Sequence, residues 1–257
     1  MKCPILAYHN VDVRSEWGIN TVLPELFEKQ ISFLASEGYK TCSLEDYVSG
    51  ESVRDRSVIL TFDDAYEGVL RFALPIMQRY RMTGTVFVIS DYVGRENLWD
   101  HNLGGRTFRH LSWHGLHELA DAGWEIGSHS ATHRDLSGLA QTNLRDELVL
   151  SKETLQNRLS IAVHFISYPF DRVNEKVLLE AGNAGYIGGC CMTNRKKLHG
   201  THGKFLLPRR GIYAIDVLPV FKQKLRSDIV SRIFDVNQRV ISACSMGSIY
   251  YRKLFDR

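Results

Sequence analysis

Ser57-Val58-Ile59-Leu60-Thr61-Phe62-Asp63-Asp64 is an apolar, β-branched run that ends in two adjacent carboxylates. It is too short for a helix and reads as a buried strand. Paired acids at the C-terminal end of such a strand stand where α/β proteins build their active sites. Outward from this stretch the chain alternates short strands with helical stripes. Toward the N-terminus, residues 5–8 read as a strand and 24–37 as a helix with Pro24 in its first turn. Residues 39–42 read as a strand, followed by a helix capped by Ser43 with Asp46 at its third position. Toward the C-terminus, helices are expected over 66–80, 111–122, 137–159 and 174–181. Strands are expected over 85–89, 124–127, 164–168, 186–190 and at Leu206 and Leu207, while 91–109 has no period and reads as a long loop. Strands separated by helices pair in parallel, because the crossover needs a helix's length. The pattern alone fits a doubly wound sheet or a barrel. No Gly-x-Gly-x-x-Gly turn follows a strand, which argues against a dinucleotide site.

The chain of 257 residues has room for one large domain or two small ones, and 44% hydrophobic with 24% charged residues is ordinary globular usage. Lys and Arg total 32 against 29 Asp and Glu, a net charge of +3, too balanced to suggest a nucleic-acid binder. The five cysteines, at 3, 42, 190, 191 and 244, form no Cys-x-x-Cys pair, and their odd number suits a reduced chain better than a disulfide scaffold. No run of about 18 apolar residues occurs to span a membrane. The apolar run at the N-terminus ends too soon for a signal-peptide core. The expected location is cytoplasmic.

A second strand-end feature is Gly127-Ser128-His129-Ser130-Ala131-Thr132-His133. Two histidines four apart on one helical turn present both imidazoles to one ion. With Asp64 they make a set of two histidines and one carboxylate, which leaves coordination positions open, as a catalytic metal requires. Asp63 is then left to take a proton from water, and the set points to metal-assisted hydrolysis of an amide or ester. The same donors suit non-haem iron, but the β-rich pattern of such oxygenases is absent.

Thr61-Phe62-Asp63-Asp64 and His129-Ser130-x-x-His133 resemble the first two motifs of the polysaccharide deacetylases, the NodB-homology carbohydrate esterases. The likeness spans roughly residues 3 to 220. It is supported by Leu6-Ala7-Tyr8-His9-Asn10-Val11, Ser167-Tyr168-Pro169-Phe170, the stretch from Glu147 to Leu155, and Leu207-Pro208-Arg209. The nearest branch is that of the poly-N-acetylglucosamine deacetylases. The resemblance implies a distorted, incomplete (β/α) barrel of about seven strands. It implies Asp63 as general base and Asp64, His129 and His133 as ligands of a divalent metal, zinc above Co2+, Ni2+ or Mn2+. The oxyanion of the attacked N-acyl group would be held by the metal and a backbone N–H near Phe170. The late Leu-x-Leu-x-His motif of many members has no histidine here; in the branch with a Tyr-His-Asn-like start the histidine after the first strand serves instead, so the resemblance implies His9 as general acid, with His199 and His202 as fallbacks. Ser167 stands where many members have the arginine that orients the base, and Arg209 is the candidate replacement. Tyr168, Phe170 and Arg209 are grouped on the substrate and oxyanion side. Asp171 replaces a glycine, and Ala65 another. The alternatives within the same resemblance are a hydrolase of a non-sugar amide and a catalytically inactive sugar-binding relative.

The remaining histidines are expected to do no chemistry, with His110, His114 and His117 exposed on or beside a polar helix face. Tyr92, Trp99 and Trp113 are read as packing residues before sugar platforms, with His101 and Trp99 in the long loop. The expected division is a deacetylase barrel over residues 1–215 and a helical extension over 216–257. The extension holds eight Lys or Arg and four Asp or Glu, with helices around 217–230 and 233–255. It is expected to pack on the barrel, with peripheral membrane contact as the second possibility. The expected partner is an N-acetylated sugar.

Overall fold

The computed structural model describes residues 3–14, 19–50, 53–97, 107–192 and 203–226. Its strands are β1 (Ile5–Tyr8), β2 (Asn10–Val11), β3 (Thr21–Val22), β4 (Lys40–Thr41), β5 (Ser57–Phe62), β6 (Thr85–Val88), β7 (Glu125–Ser128), β8 (Phe165–Ser167), β9 (Gly188–Cys191), β10 (Leu207–Pro208) and β11 (Arg210–Gly211). Its helices are α1 (Pro24–Ser36), α2 (Leu44–Ser49), α3 (Leu74–Arg79), α4 (Trp113–Asp121), α5 (Gln141–Leu159), α6 (Glu175–Asn183) and α7 (Leu218–Leu225). The main sheet runs β10-β9-β8-β7-β6-β5-β1-β11, all parallel, with β4 added beside the start of β5. The two ends of that order are neighbours in the chain, since only Arg209 separates β10 from β11. One extended stretch therefore lies beside β9 through its first half and beside β1 through its second. The sheet is bent into a nearly closed α/β barrel, as the resemblance implies.

Period-two alternation sorts each strand's side chains between two cores. Ile5, Ile59, Phe87, Phe165, Cys190 and Leu207 point inward and fill the barrel. Leu6, Tyr8, Leu60, Phe62, Val86, Val88, Ile126 and Ile166 point outward into the layer shared with the helices. Tyr8 stacks on Phe62 there, with ring centroids 5.2 to 6.0 Å apart among Tyr8, Phe27 and Phe62. Followed two residues at a time, the inward face of β5 runs Ile59, Thr61, Asp63. That of β8 ends at Ser167, and that of the closing stretch passes through Arg209. The alternation that packs the core thus delivers polar groups to the top of the barrel.

Local signals account for most boundaries. Ser43 and Asp46 form a reciprocal capping box on α2, and Gly50 ends it in the left-handed region. Ser112 caps α4 and Asn174 caps α6. Two helices differ from expectation. The segment after Tyr66 passes through a π-helical turn over Val69–Ala73 before α3 begins at Leu74. The long helix begins at Gln141, because a separate 3-10 turn over Leu136–Gly138 precedes it.

Within the extension, α7 packs on α1 by a Phe33–Phe221 edge contact at 6.4 Å. Buried Lys224 pairs with Asp216 and donates to the Gly211 carbonyl, tying α7 to the closing stretch. Residues 227–257, with most of the basic tail, lie outside the described residues, as do Trp99, His101, His199 and His202. No helix among the described residues is long and apolar enough to cross a membrane.

Gly127, on the inner face of β7, is tightly packed against its neighbours. A Cβ there would stand 2.5 Å from the Phe87 ring and 3.1 Å from the Phe165 carbonyl oxygen. Gly127→Ala is expected to destabilise the fold by about 1–3 kcal/mol through overpacking, read as a lowered midpoint in urea denaturation.

Candidate metal and proton-transfer site

Asp63 and Asp64 follow β5 directly, and the backbone decides how both reach one site. Asp63 continues the inward alternation, and its N–H donates to the Tyr8 carbonyl at 3.0 Å. Simple alternation would send Asp64 outward. Instead Asp64 and Ala65 are left-handed, with φ of 67° and 53°, so the chain turns and the second carboxylate swings back over the barrel. The turn is held from outside: the Leu111 N–H donates to the Ala65 carbonyl at 2.7 Å, and His110 Nδ1 donates to the Asp64 carbonyl at 2.5 Å.

His129 and His133 meet Asp64 from the β7 side. They do not share a helical turn. The chain after β7 is an irregular loop in which Ser130 and His133 have φ of 65° and 57°. The left-handed kinks bring the two rings to 4.8 Å between centroids. His129 Nδ1 donates to the Ser167 carbonyl at 2.7 Å, which leaves Nε2 as the lone-pair nitrogen. That Nε2 is 3.5 Å from Asp64 Oδ1, and His133 Nε2 is 3.6 Å from the same oxygen. These are too long for hydrogen bonds. They suit ligands around one ion, since donors ~2.1 Å from a tetrahedral zinc stand about 3.4 Å apart. Burial pushes the His129 imidazole down to about 4, against the opposing pull of Asp63 and the Ser167 carbonyl, so it is neutral near pH 7 and able to ligate. Asp64, His129 and His133 are buried and offer one donor atom each within 4.8 Å of the others. The donor set fits a divalent cation of the zinc type.

Beneath this cluster lies a fully polar clamp inside the barrel. Arg209 Nη1 and Nη2 donate to Asp63 Oδ1 and Oδ2, both at 2.7 Å. The guanidinium also donates to Thr61 Oγ1 at 3.0 Å and to Ser167 Oγ at 2.8 Å, and it lies over the Phe87 ring at 5.3 Å. Burial alone would push the Asp63 carboxyl up. The charge of Arg209, then that of His129 and the Arg209 hydrogen bonds, outweigh burial and hold Asp63 well below the usual carboxylate range. Arg209 is buried and both of its terminal nitrogens are engaged by Asp63, Thr61 and Ser167, so it clamps Asp63 and offers no free terminal donor to the substrate side.

The structure corrects two further expectations. Tyr168 is 2% exposed and its ring lies in the core between barrel and helices, pressed against Gly189. The reason is alternation: Ser167 faces in, so its neighbour faces out. Its N–H is also engaged, with the Cys190 carbonyl at 3.3 Å. His110 is 2% exposed, not on the surface, and stacks on Tyr66 at 4.9 Å while holding the Asp64 turn. Burial pushes its imidazole down to about 4, with the Asp64 hydrogen bond opposing. No periodicity in the sequence marks this residue, because its partner is a backbone carbonyl 46 positions away.

Phe170 is brought to the site. It is left-handed at φ 56°, half-buried, and its ring sits 4.6 Å from that of His133. His9, half-buried at the end of β1, lies near enough that its charge acts on both Asp63 and His129. His114 and His117 are exposed as expected. Trp113 packs against the core with the Arg158 guanidinium over its ring at 5.2 Å, and Tyr92 faces His110 at 5.7 Å.

The polysaccharide deacetylase family model matches residues 50–188 of this chain. Among curated proteins, YxkH of Bacillus subtilis is 29% identical over 192 residues, which cover 73% of this chain and 63% of that protein. The poly-beta-1,6-N-acetyl-D-glucosamine N-deacetylase of Staphylococcus aureus is 29% identical over 198 residues, 71% of this chain and 64% of that protein. The chain thus spans somewhat less than two thirds of the length of these relatives. In fold, it is similar to the Streptococcus pyogenes deacetylase PplD, solved with acetate, at TM-score 0.74 and 24% identity over 88% of this chain and 99% of that one. It is similarly close to IcaB of Ammonifex degensii, at TM-score 0.73 and 19% identity over 88% and 97%.

The geometry separates a ligand carboxylate from a clamped one. In competition against a chromophoric chelator, Asp64→Asn and His129→Ala are expected to lose tight Zn2+ binding, whereas Asp63→Asn keeps it. Retained affinity in Asp64→Asn would refute the ligand assignment.

Proposed function

Because the chain belongs to the polysaccharide deacetylase family, we propose that it removes N-acetyl groups from an amino-sugar glycan or glycoconjugate by metal-dependent hydrolysis. The observation that carries this reading is the convergence of Asp64, His129 and His133 directly beside a carboxylate, Asp63, held by Arg209. Asp64, His129 and His133 would hold the cation, which when bound supplies Lewis-acid polarisation and eases deprotonation of water. The relative that acts on poly-beta-1,6-N-acetyl-D-glucosamine supports an N-acetylglucosamine polymer or a precursor of one as the substrate class. A role in surface-polysaccharide assembly follows from that class.

The chain's own residues divide the proton work. Asp63 accepts the proton of the attacking water as general base. Arg209 makes it a weak base but an always ionised one, fixed in orientation by two parallel hydrogen bonds. The contribution of Asp63 is therefore positional more than driven by proton affinity. The Phe170 N–H, presented by the left-handed turn after β8, is the proposed donor to the oxyanion that develops on the acyl oxygen. His9 is the proposed acid that protonates the departing amine, completing the products acetate and a free amino sugar.

This reading is tested with N-acetylglucosamine oligomers, assaying released acetate and new primary amines. Asp63→Asn is expected to lower kcat about 10³-fold, the scale of a lost general base, while the protein still binds metal. A wild-type rate in that variant overturns the base assignment. Turnover of simple acyl amides in preference to the sugars favours the non-sugar hydrolase instead, and sugar binding without any amine release favours the inactive relative.

The pH profile tests the clamp. With Arg209 present, Asp63 is held low and stays ionised as pH falls. Arg209→Met removes the main charge and the hydrogen bonds that oppose burial, so the carboxyl rises and the acid limb of kcat/KM moves to higher pH. An unmoved acid limb would show that Arg209 does not set the ionisation of the base.

A further inference from the structure

The helical stretch Glu147-Leu148-Val149-Leu150-Ser151-Lys152-Glu153-Thr154-Leu155 has no part in the proton transfers, yet its inner face lies against the loop that carries His129 and His133. Glu147 is buried, at 6% exposure. Its Oε2 accepts from the N–H of Ala131 and of Thr132, both at 2.9 Å, and its Oε1 accepts from the Thr132 hydroxyl. One helical turn later, Ser151 Oγ meets Ser128 Oγ at 2.9 Å, and Ser128 Oγ in turn accepts from the Ser130 N–H at 3.2 Å. The carbonyls of the same loop are held from its other side, Ser130 by the Ser90 N–H at 3.3 Å and Ala131 by the Asp91 N–H at 3.1 Å.

We infer that Glu147 is a positioning residue for the cation site: its carboxylate holds the loop between the two histidines in the shape that aims both imidazoles at Asp64. The inference rests on the metal site proposed above and deepens it. Three lines of chemistry support it. First, the loop needs an outside template, because it has neither helical nor strand hydrogen bonding and contains two left-handed non-glycine residues, Ser130 and His133. Second, the donors of two successive residues and a hydroxyl converge on one group, and an ionised carboxylate is the side chain that only accepts. Third, a buried negative charge behind the ligand loop adds a favourable field for a divalent cation. Glu147 touches neither substrate nor cation in this account. It acts through the backbone between His129 and His133.

The test uses the full chain and Zn2+ itself, with affinity from chelator competition. The d–d spectrum of the Co2+-loaded protein reports ligand geometry. Glu147→Ala is expected to weaken Zn2+ binding at least ~10-fold, the scale seen when outer-shell partners of ligands are removed, and to change the Co2+ spectrum. Glu147→Gln keeps one acceptor oxygen and is expected to recover part of the loss. Glu153→Ala, an exposed acid on the same helix, is expected to match wild type. Metal-free melting curves separate a folding defect from a site defect. If Glu147→Ala does not fold, Glu147→Gln decides, with a loss of about threefold or more supporting the assignment and unchanged affinity overturning it. A wild-type chain that binds no Zn2+ overturns the metal reading itself. A wild-type chain that binds while a folded Glu147→Ala binds equally, with an unchanged spectrum, overturns the positioning role alone.

Discussion

The two parallel hydrogen bonds between Arg209 and Asp63 join the barrel's closure to its chemistry. Both groups are nearly sealed from water, so each would be costly to bury alone. Together they offset that cost through bidentate geometry, and Thr61 and Ser167 take up further donors of the guanidinium. Arg209 is also the residue that divides the closing stretch into its β9-paired and β1-paired halves. Its N–H donates to the Cys191 carbonyl, and three residues later the Ile212 N–H donates to the Ala7 carbonyl, both at 2.8 Å. The strand that brings the ends of the sheet together is thus the strand that delivers the counter-charge of the proposed base. Serine at 167 is compatible with this, because a small hydroxyl leaves the barrel room for the guanidinium arriving from another strand.

Above the clamp, the site is shaped by backbone in the left-handed region. Asp64, Ala65, Ser130, His133, Phe170 and Asp171 all have φ between 53° and 67°. Non-glycine residues enter this region at a cost, and they stay there only when neighbouring groups hold them. Each of the three turns has such support. His110 and Leu111 hold the Asp64 turn, Glu147 with Ser90 and Asp91 holds the histidine loop, and Asp171 is engaged with the Met192 N–H at 2.7 Å. The supports come from α5, from the loop after β6 and from the end of β9, so the site depends on docking of several crossovers.

Much of this architecture is legible from single residues. β1 and β5 fall where the apolar runs place them, and Ser43, Asp46 and Asn174 cap the helices that their side chains announce. The cluster of Asp64, His129 and His133 follows from two strand ends, though not by the helical spacing that suggested it. Tyr168 shows a reading that sequence could have supplied but did not: once Ser167 faces the barrel, alternation sends its neighbour to the helix layer. His110 and Glu147 are different. Their partners are backbone groups of distant loops, and a backbone carbonyl or N–H leaves no trace in residue identity.

The sequence by itself determined the alternation of strand and helix, the parallel pairing and the identity of the polar residues at the strand ends. These depend on local periodicity and on which side chains carry donors and charge. Only the tertiary structure decided that residues 207–211 close the sheet, that Arg209 meets Asp63 across 146 positions, and that left-handed turns bring Asp64 and the two histidines together. Those outcomes depend on strand register and on loop conformations fixed by contacts between distant segments, and neither is written in the order of residues along any one element.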